Sequence, residues 1–157
     1  MALIDLYNLD LLDAVLAHHF NDEFKEKMLS TYMQTYAQIL GEALSTELKP
    51  EDDEAMKKLL ASPDVTPEKV DQFYKDRIPH FEAKVVLLAL EFKKRFLLSV
   101  YKNKLEEYKK SKSNEGLAAW EQIYKDAEAD NWNEVGRLLK IVDSMHSSAK
   151  KQSSVQK

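Results

Sequence analysis

The stretch VVLLALEFKKRFLLSV, from Val85 to Val100, is the most apolar part of this chain and carries three cations at its middle. The apolar residues in and around it recur at the three- and four-residue steps of an α-helix. They form a first stripe (Ile78, Phe81, Val85, Leu88 and Phe92) and a second stripe (Val86, Leu90, Leu97, Tyr101, Leu105 and Tyr108). Two apolar stripes on one helix require two packing neighbours. The sequence therefore predicts a long central helix over residues 79–110.

The rest of the chain is also predicted to be helical, because 157 residues contain only three Gly and four Pro. Few turn-forming residues imply long elements, which favours helices over strands. The first helix is predicted from Leu9 to His19. Asn21 and Thr66 are predicted to cap later helices, and Pro79 is predicted to interrupt the helix before the central one. We expect an all-α, single helical-bundle domain of five to seven helices.

The domain organisation follows from shifts in composition along the chain. The bundle is assigned to residues 1–112, and a polar stretch, KKSKSNEG from Lys109 to Gly116, is the predicted linker. A C-terminal helical hairpin is assigned to residues 113–146, packed on or beside the bundle. The polar, serine-rich residues 147–157 are predicted to be a flexible tail.

The charge is unevenly distributed, although the net charge of the whole chain is only −4. Residues 1–60 carry 5 basic and 12 acidic side chains, whereas residues 61–112 carry 12 basic and 8 acidic ones. The absence of Cys excludes disulfides, thiol chemistry and cysteine zinc sites. Three aspartates interrupt the N-terminal apolar residues, which argues against a signal peptide. The sequence contains no uncharged apolar run long enough to predict a membrane span. We expect a cytoplasmic protein.

Signatures of catalysis are missing from the sequence. The chain contains no nucleophile-elbow, phosphate-loop or dinucleotide-binding motif and no E-x-x-H pair. We therefore expect neither an enzyme nor a cofactor. One alternative stays open, a small helical enzyme or metal-binding protein that uses His18, His19 and His80, since imidazoles are common metal ligands.

The cations of the central helix suggest a second alternative. Lys93, Lys94, Arg95 and Lys102 form a predicted basic patch within the basic segment 93–112. Such a patch, interleaved with tyrosines, is typical of nucleic-acid contacts. The net negative charge of the chain argues against this role, because nucleic-acid binding relies on strong positive charge.

The aromatic residues favour a different function. Seven Tyr, six Phe and two Trp exceed what a plain leucine-based bundle needs, and Tyr and Trp are enriched at protein interfaces. The sequence predicts a non-catalytic protein-interaction or assembly module, which binds a protein partner or itself as a homodimer. The predicted interface residues are Leu90, Leu97, Tyr101, Tyr108, Trp120 and Trp132.

One segment resembles a known class of domain. It runs from Lys25 to Val85 and reads KEKMLSTYMQTYAQILGEALSTELKPEDDEAMKKLLASPDVTPEKVDQFYKDRIPHFEAKV. With its long helix, its leucine-rich short helix and its turn of the type IPxF, this segment is similar to small helical domains of unknown function from uncultured bacteria. The resemblance implies a helical fold and no activity.

Overall fold

The computed structural model describes residues 2–17, 20–111 and 114–155. All regular secondary structure within these ranges is helical, which confirms the predicted all-α class. Eight helices follow one another in the described part of the chain: α1 Ala2–Asn8, α2 Leu11–Ala14, α3 Asp22–Ser45, α4 Pro50–Ala61, α5 Pro67–Arg77, α6 Phe81–Ser111, α7 Asn114–Glu128 and α8 Trp132–Val155.

The N-terminal helix differs from the prediction of one helix over residues 9–19. The chain instead forms one short helix before this range, α1, and a second one within it, α2, because the carboxylate of Asp10 caps a new helix start. Its Oδ1 accepts a hydrogen bond from the backbone N–H of Asp13 at 3.0 Å. The second of these helices ends with Leu16 in a left-handed conformation, φ 55°, and with a hydrogen bond from the N–H of Ala17 to the carbonyl of Leu12 at 2.8 Å. Side-chain capping and this Schellman-type end are the local features that divide the segment.

The predicted helix starts are confirmed further along the chain. The side-chain oxygen of Asn21 accepts a hydrogen bond from the N–H of Phe24 at 2.8 Å, and that of Thr66 accepts one from Lys69 at 3.2 Å. Helix α5 ends at Arg77, just before Pro79, and α6 begins at Phe81. Proline lacks the N–H that a continuing helix would need, so the break lies where the sequence placed it.

The central helix α6, Phe81–Ser111, agrees with the predicted range 79–110. Helices α7 and α8 pack against each other as the predicted hairpin. The predicted linker Lys109–Gly116 is largely helical instead, because α6 continues to Ser111 and α7 already begins at Asn114; residues 112 and 113 lie outside the described ranges. Residues 147–155 have helical backbone within α8, and the flexibility proposed for the tail stays a prediction.

The contacts of the chain group it into two compact units. Unit 1 contains residues 1–27 and 90–157, and unit 2 contains residues 28–89. The boundaries of both units fall inside α3 and α6. The predicted domain boundaries at residues 112 and 146 describe segments of sequence and stay a prediction.

Unit 2 has a thin core. Leu44 of α3, Ile78 and Phe81 form its buried cluster, and the ring of Tyr74 stacks on that of Phe81 with centroids 5.6 Å apart. Leu44 is the only buried residue among the 24 of α3. Helices of this unit are held together at their edges by polar contacts, such as the ion pair between Lys84 and Glu47 at 2.6 Å.

Unit 1 has the larger core, in which α8 contacts α1, α2 and α7. Its buried residues come from five helices and from the turn after α2, and they are Leu6, Ala14, Val15, Ala17, Phe92, Leu97, Tyr101, Trp120, Ile123, Ala127, Trp132, Val135 and Leu139. Burial of this apolar surface is the main source of stability for such a fold. Unit 1 therefore contains most of the buried apolar core of the described chain.

Candidate functional site

The six predicted interface residues lie in different environments. Leu97, Tyr101, Trp120 and Trp132 are each at most 2% exposed, whereas Leu90 and Tyr108 are half-buried. The chain's own helices cover the first four, because α6, α7 and α8 each turn an apolar face to the core of unit 1. The burial of these four side chains therefore requires no partner.

Tyr101 and Trp120 form the centre of an aromatic cluster between α6 and α7. The Tyr101 hydroxyl donates a hydrogen bond to the backbone carbonyl of Ala14 at 2.9 Å, and burial raises the pKa of Tyr101 far above its usual value. The Trp120 ring lies 5.8 Å from that of Tyr101 and 6.5 Å from that of Tyr108. Gly116 completes the cluster, since a Cβ there would lie 2.2 Å from Cε1 of Tyr108. This glycine permits close packing, a role that the linker prediction missed.

Lys93 does not extend into solvent as part of a basic patch. Its ammonium donates hydrogen bonds to the backbone carbonyls of Leu6 at 2.7 Å and Leu9 at 2.5 Å, at the C-terminal end of α1. The last carbonyls of a helix have no partner within it and carry partial negative charge. Burial lowers the pKa of Lys93, while the nearby carboxylate of Asp10 acts in the opposite direction. Lys93 thus anchors α1 to α6.

Lys94 has the equivalent role at the end of α7. Its ammonium lies 2.9 Å from the carboxylate of Asp130 and 3.4 Å from the carbonyl of Glu128. Asp130 is left-handed, φ 60°, and its Oδ1 also accepts a hydrogen bond from the indole N–H of Trp132 at 3.2 Å. Of the predicted patch, Arg95 and Lys102 are exposed. The two neighbouring lysines serve intramolecular contacts, which weakens the nucleic-acid alternative.

One apolar side of α6 is open in the N-terminal half of the helix, and it includes Val86 and Leu90 of the second stripe. We call it the open face and define it as Ala83, Val86, Leu87 and Leu90. Val86 and Leu87 are 49% and 53% exposed, Ala83 is exposed and Leu90 is half-buried. The spacing i, i+3, i+4, i+7 places the four side chains on one side of the helix. The same side is buried further along, at Leu97 and Tyr101.

A cleft of about 490 Å³ lies in unit 1 between the α1–α2 segment and α8. Four carboxylates, those of Asp5, Asp10, Asp13 and Asp143, line it. Sequence reasoning used three of these aspartates only to argue against a signal peptide. No motif identified the cleft, because its two walls lie more than 100 residues apart in the sequence.

The apolar residues of the cleft lining are Leu9, Leu16, Trp132 and Leu139, of which Trp132 and Leu139 are only 1% and 3% exposed. Leu16 occupies the position after α2 where glycine is usual, because a left-handed backbone costs an L-residue roughly 1–2 kcal/mol. Its side chain is partly buried at the cleft. The cleft thus combines an apolar surface with charged walls, a combination common in ligand sites.

The predicted metal-binding alternative depends on three histidines, of which the structure describes only His80. His18 and His19 lie outside the described residues, and His80 is exposed at the turn before α6, with φ 56°. Over the described ranges, no three His, Asp or Glu side chains come close enough to hold a metal ion. No helix in the described parts of the chain has an apolar stretch long enough to cross a membrane.

Comparisons with known proteins place this chain in no family. No family model matches it, and neither a curated protein nor a solved structure is significantly similar to it. The resemblance of Lys25–Val85 to bacterial helical domains stays a prediction. The functional argument therefore depends on the geometry of the open face.

Proposed function

We propose that this protein is a non-catalytic assembly module that forms a homodimer through the open face of α6. The observation that carries the proposal is the contrast along one side of α6. Leu97 and Tyr101 are fully buried by the chain itself, while Val86 and Leu87 remain about half exposed. A contiguous apolar helix face of this spacing is suited to pack against another helix.

Single exposed apolar side chains are common on protein surfaces. The open face differs because its members share one side of a continuous helix. A second copy of the same helix is a suitable partner, since a two-fold axis makes any one patch complementary to itself. Such a dimer would bury apolar area without requiring a cavity, a cofactor or a charged partner. A cytoplasmic location is part of the proposal, and the absence of Cys is compatible with it.

The experiment measures the mass of the protein in solution over a wide range of concentration, by sedimentation velocity and light scattering. We expect a concentration-dependent dimer. Leu87→Glu should weaken the dimer by roughly a thousandfold, because both protomers lose a buried leucine contact of about 2 kcal/mol, which makes about 4 kcal/mol per dimer.

Leu60→Glu is the matched control. Leu60 on α4 is 57% exposed, so Leu60→Glu changes the charge and the surface hydrophobicity as much as Leu87→Glu does, but outside the open face. The proposal requires that Leu60→Glu dimerise like the original chain. A protein that is monomeric at every concentration, or one that both variants weaken equally, would contradict it.

A further inference from the structure

We propose that unit 2 unfolds as one cooperative segment while unit 1 stays folded, and that this equilibrium controls dimer formation. Unit 2 contains residues 28–89 and therefore Ala83, Val86 and Leu87 of the open face. A second copy can pack on these side chains only while unit 2 is folded. The local unfolding follows from the core of unit 2 itself, whereas its effect on the dimer rests on the proposed function.

Unit 2 has few buried apolar side chains. All of its residues are described, and those that are buried are Leu44, Phe73, Ile78 and Phe81. Unit 1 buries a larger set, which includes both tryptophans of the chain. Segments with little buried apolar surface unfold locally at a lower free energy than the rest of a protein. We therefore expect unit 2 to be the less stable of the two units.

Large apolar side chains of unit 2 also remain in contact with water in the folded state. The exposed ones are Met33, Ile39, Leu60, Val86 and Leu87. Because hydrophobic stabilisation grows with the apolar area removed from water, these side chains contribute less than buried ones. The folded form of unit 2 consequently has a small stabilising contribution against the conformational entropy that the chain gains on unfolding.

The ion pairs of unit 2 add little to this stability. The ammonium of Lys84 lies 2.6 Å from the carboxylate of Glu47, and Nε of Arg77 lies 3.1 Å from that of Asp52. All four side chains keep part of their surface in water. Ion pairs in such surroundings contribute little to the free energy of unfolding, since water and salt screen them.

The helices of unit 2 are expected to unfold together. Helices α4 and α5 have 12 and 11 residues, and helices of this length are marginal in water on their own. Leu44 of α3, Ile78 after α5 and Phe81 of α6 belong to one buried cluster. Loss of this cluster therefore removes the support of several elements at once, which makes the unfolding of unit 2 cooperative.

The first experiment measures amide hydrogen exchange of the full chain by mass spectrometry, in dilute protein and at urea concentrations below those that unfold the whole chain. We expect the amides of α4 and α5 to exchange through one common unfolding step. Its free energy should be lower than that of the slowest amides in α7 and α8. Equal free energies in the two units would show that the chain unfolds as a whole and would overturn the proposal.

The second experiment links this unfolding to the dimer. Leu44→Ala removes a buried side chain of unit 2 that lies outside the open face, and such a loss shifts an unfolding equilibrium by at least about thirtyfold. Unfolding of unit 2 in half of the molecules would weaken the dimer about fourfold, because both protomers must be folded there. We expect at least this weakening in sedimentation velocity, while α7 and α8 stay better protected from exchange than α4 and α5.

Leu60→Ala is the matched control, because Leu60 is an exposed leucine of the same unit, and it should leave the dimer unchanged. A dimer of unchanged affinity in Leu44→Ala, or equal weakening by both variants, would refute control of the dimer by unit 2. A chain that is monomeric at every concentration contradicts the proposed function and with it the control of the dimer. The exchange experiment still decides in that case whether unit 2 unfolds separately.

Discussion

At the scale of single residues, two tryptophans are equally buried but differ in their hydrogen bonding. Trp120 and Trp132 are 2% and 1% exposed. The indole N–H of Trp132 donates to Asp130 at 3.2 Å, while that of Trp120 has no acceptor within the described residues. A buried donor without an acceptor costs about 1–3 kcal/mol, and a satisfied one contributes about 1 kcal/mol. The indole N–H therefore stabilises the fold at Trp132 and destabilises it at Trp120.

This difference predicts the outcome of two matched substitutions. Trp120→Phe and Trp132→Phe remove similar volumes, but only the second breaks a hydrogen bond. We expect Trp132→Phe to lower the free energy of unfolding by about 1–3 kcal/mol more than Trp120→Phe does. Urea denaturation of the two variants and the original chain measures this difference. Equal losses would mean that the Trp120 N–H is satisfied in solution, for instance by a buried water.

At the scale of elements, the central helix explains how adjacent residues acquire different partners. Lys93 and Lys94 are neighbours in sequence, yet Lys93 contacts the end of α1 and Lys94 contacts the end of α7. Successive residues on a helix point about 100° apart, so one pair of lysines can reach two neighbouring helices. The cationic centre of the apolar stretch is therefore part of the packing of unit 1.

The contact of Lys93 predicts how α1 depends on α6. Helix α1 has seven residues, too few to be stable alone in water. Lys93→Met keeps an apolar stem but removes the ammonium from the carbonyls of α1. We expect faster amide hydrogen exchange in α1, together with a loss of about 1–3 kcal/mol in the free energy of unfolding.

Lys102→Met is the control for this experiment, because Lys102 is an exposed lysine of the same helix. It removes the same charge from α6 without touching α1. Unchanged exchange in α1 after Lys93→Met, or equally fast exchange in both variants, would show that the ammonium does not anchor the helix.

At the scale of the whole molecule, the buried tyrosine predicts how stability depends on alkaline pH. Burial raises the pKa of Tyr101, and it also raises those of Tyr32 and Tyr36. These groups keep their protons in the folded state, while in the unfolded chain they ionise near the ordinary tyrosine pKa of 10.0. The contribution of these tyrosines to the free energy of unfolding is complete below pH 10 and is lost as the pH rises above it. Burial lowers the pKa of Lys93, so the contribution of Lys93 to the free energy of unfolding rises with pH in the window below pH 10.5.

We therefore expect the free energy of unfolding to fall above pH 10, by up to about 1.4 kcal/mol per pH unit for each retained proton. Tyr101→Phe should make this fall shallower, while it lowers stability at neutral pH by removing the bond to Ala14. Urea denaturation at several pH values between neutral and strongly alkaline tests both effects. The same slope in Tyr101→Phe and in the original chain would show that Tyr101 does not titrate on unfolding.

The sequence by itself determined the features that depend on neighbouring residues. The helical class, the caps at Asn21 and Thr66, the break at Pro79 and the extent of the central helix all follow from local spacing, capping and backbone restriction. These interactions join residues a few positions apart, so a sequence pattern contains both partners.

Only the tertiary structure decided which apolar and charged side chains are covered. The second stripe of α6 is uniform in sequence, yet it is buried at Leu97 and open at Val86, because burial depends on the helices that pack nearby. The ammonium of Lys93 meets carbonyls 84 and 87 positions away in the chain, and the two walls of the cleft lie more than 100 positions apart in the sequence. Such contacts depend on the path of the whole chain in space, which no local pattern encodes.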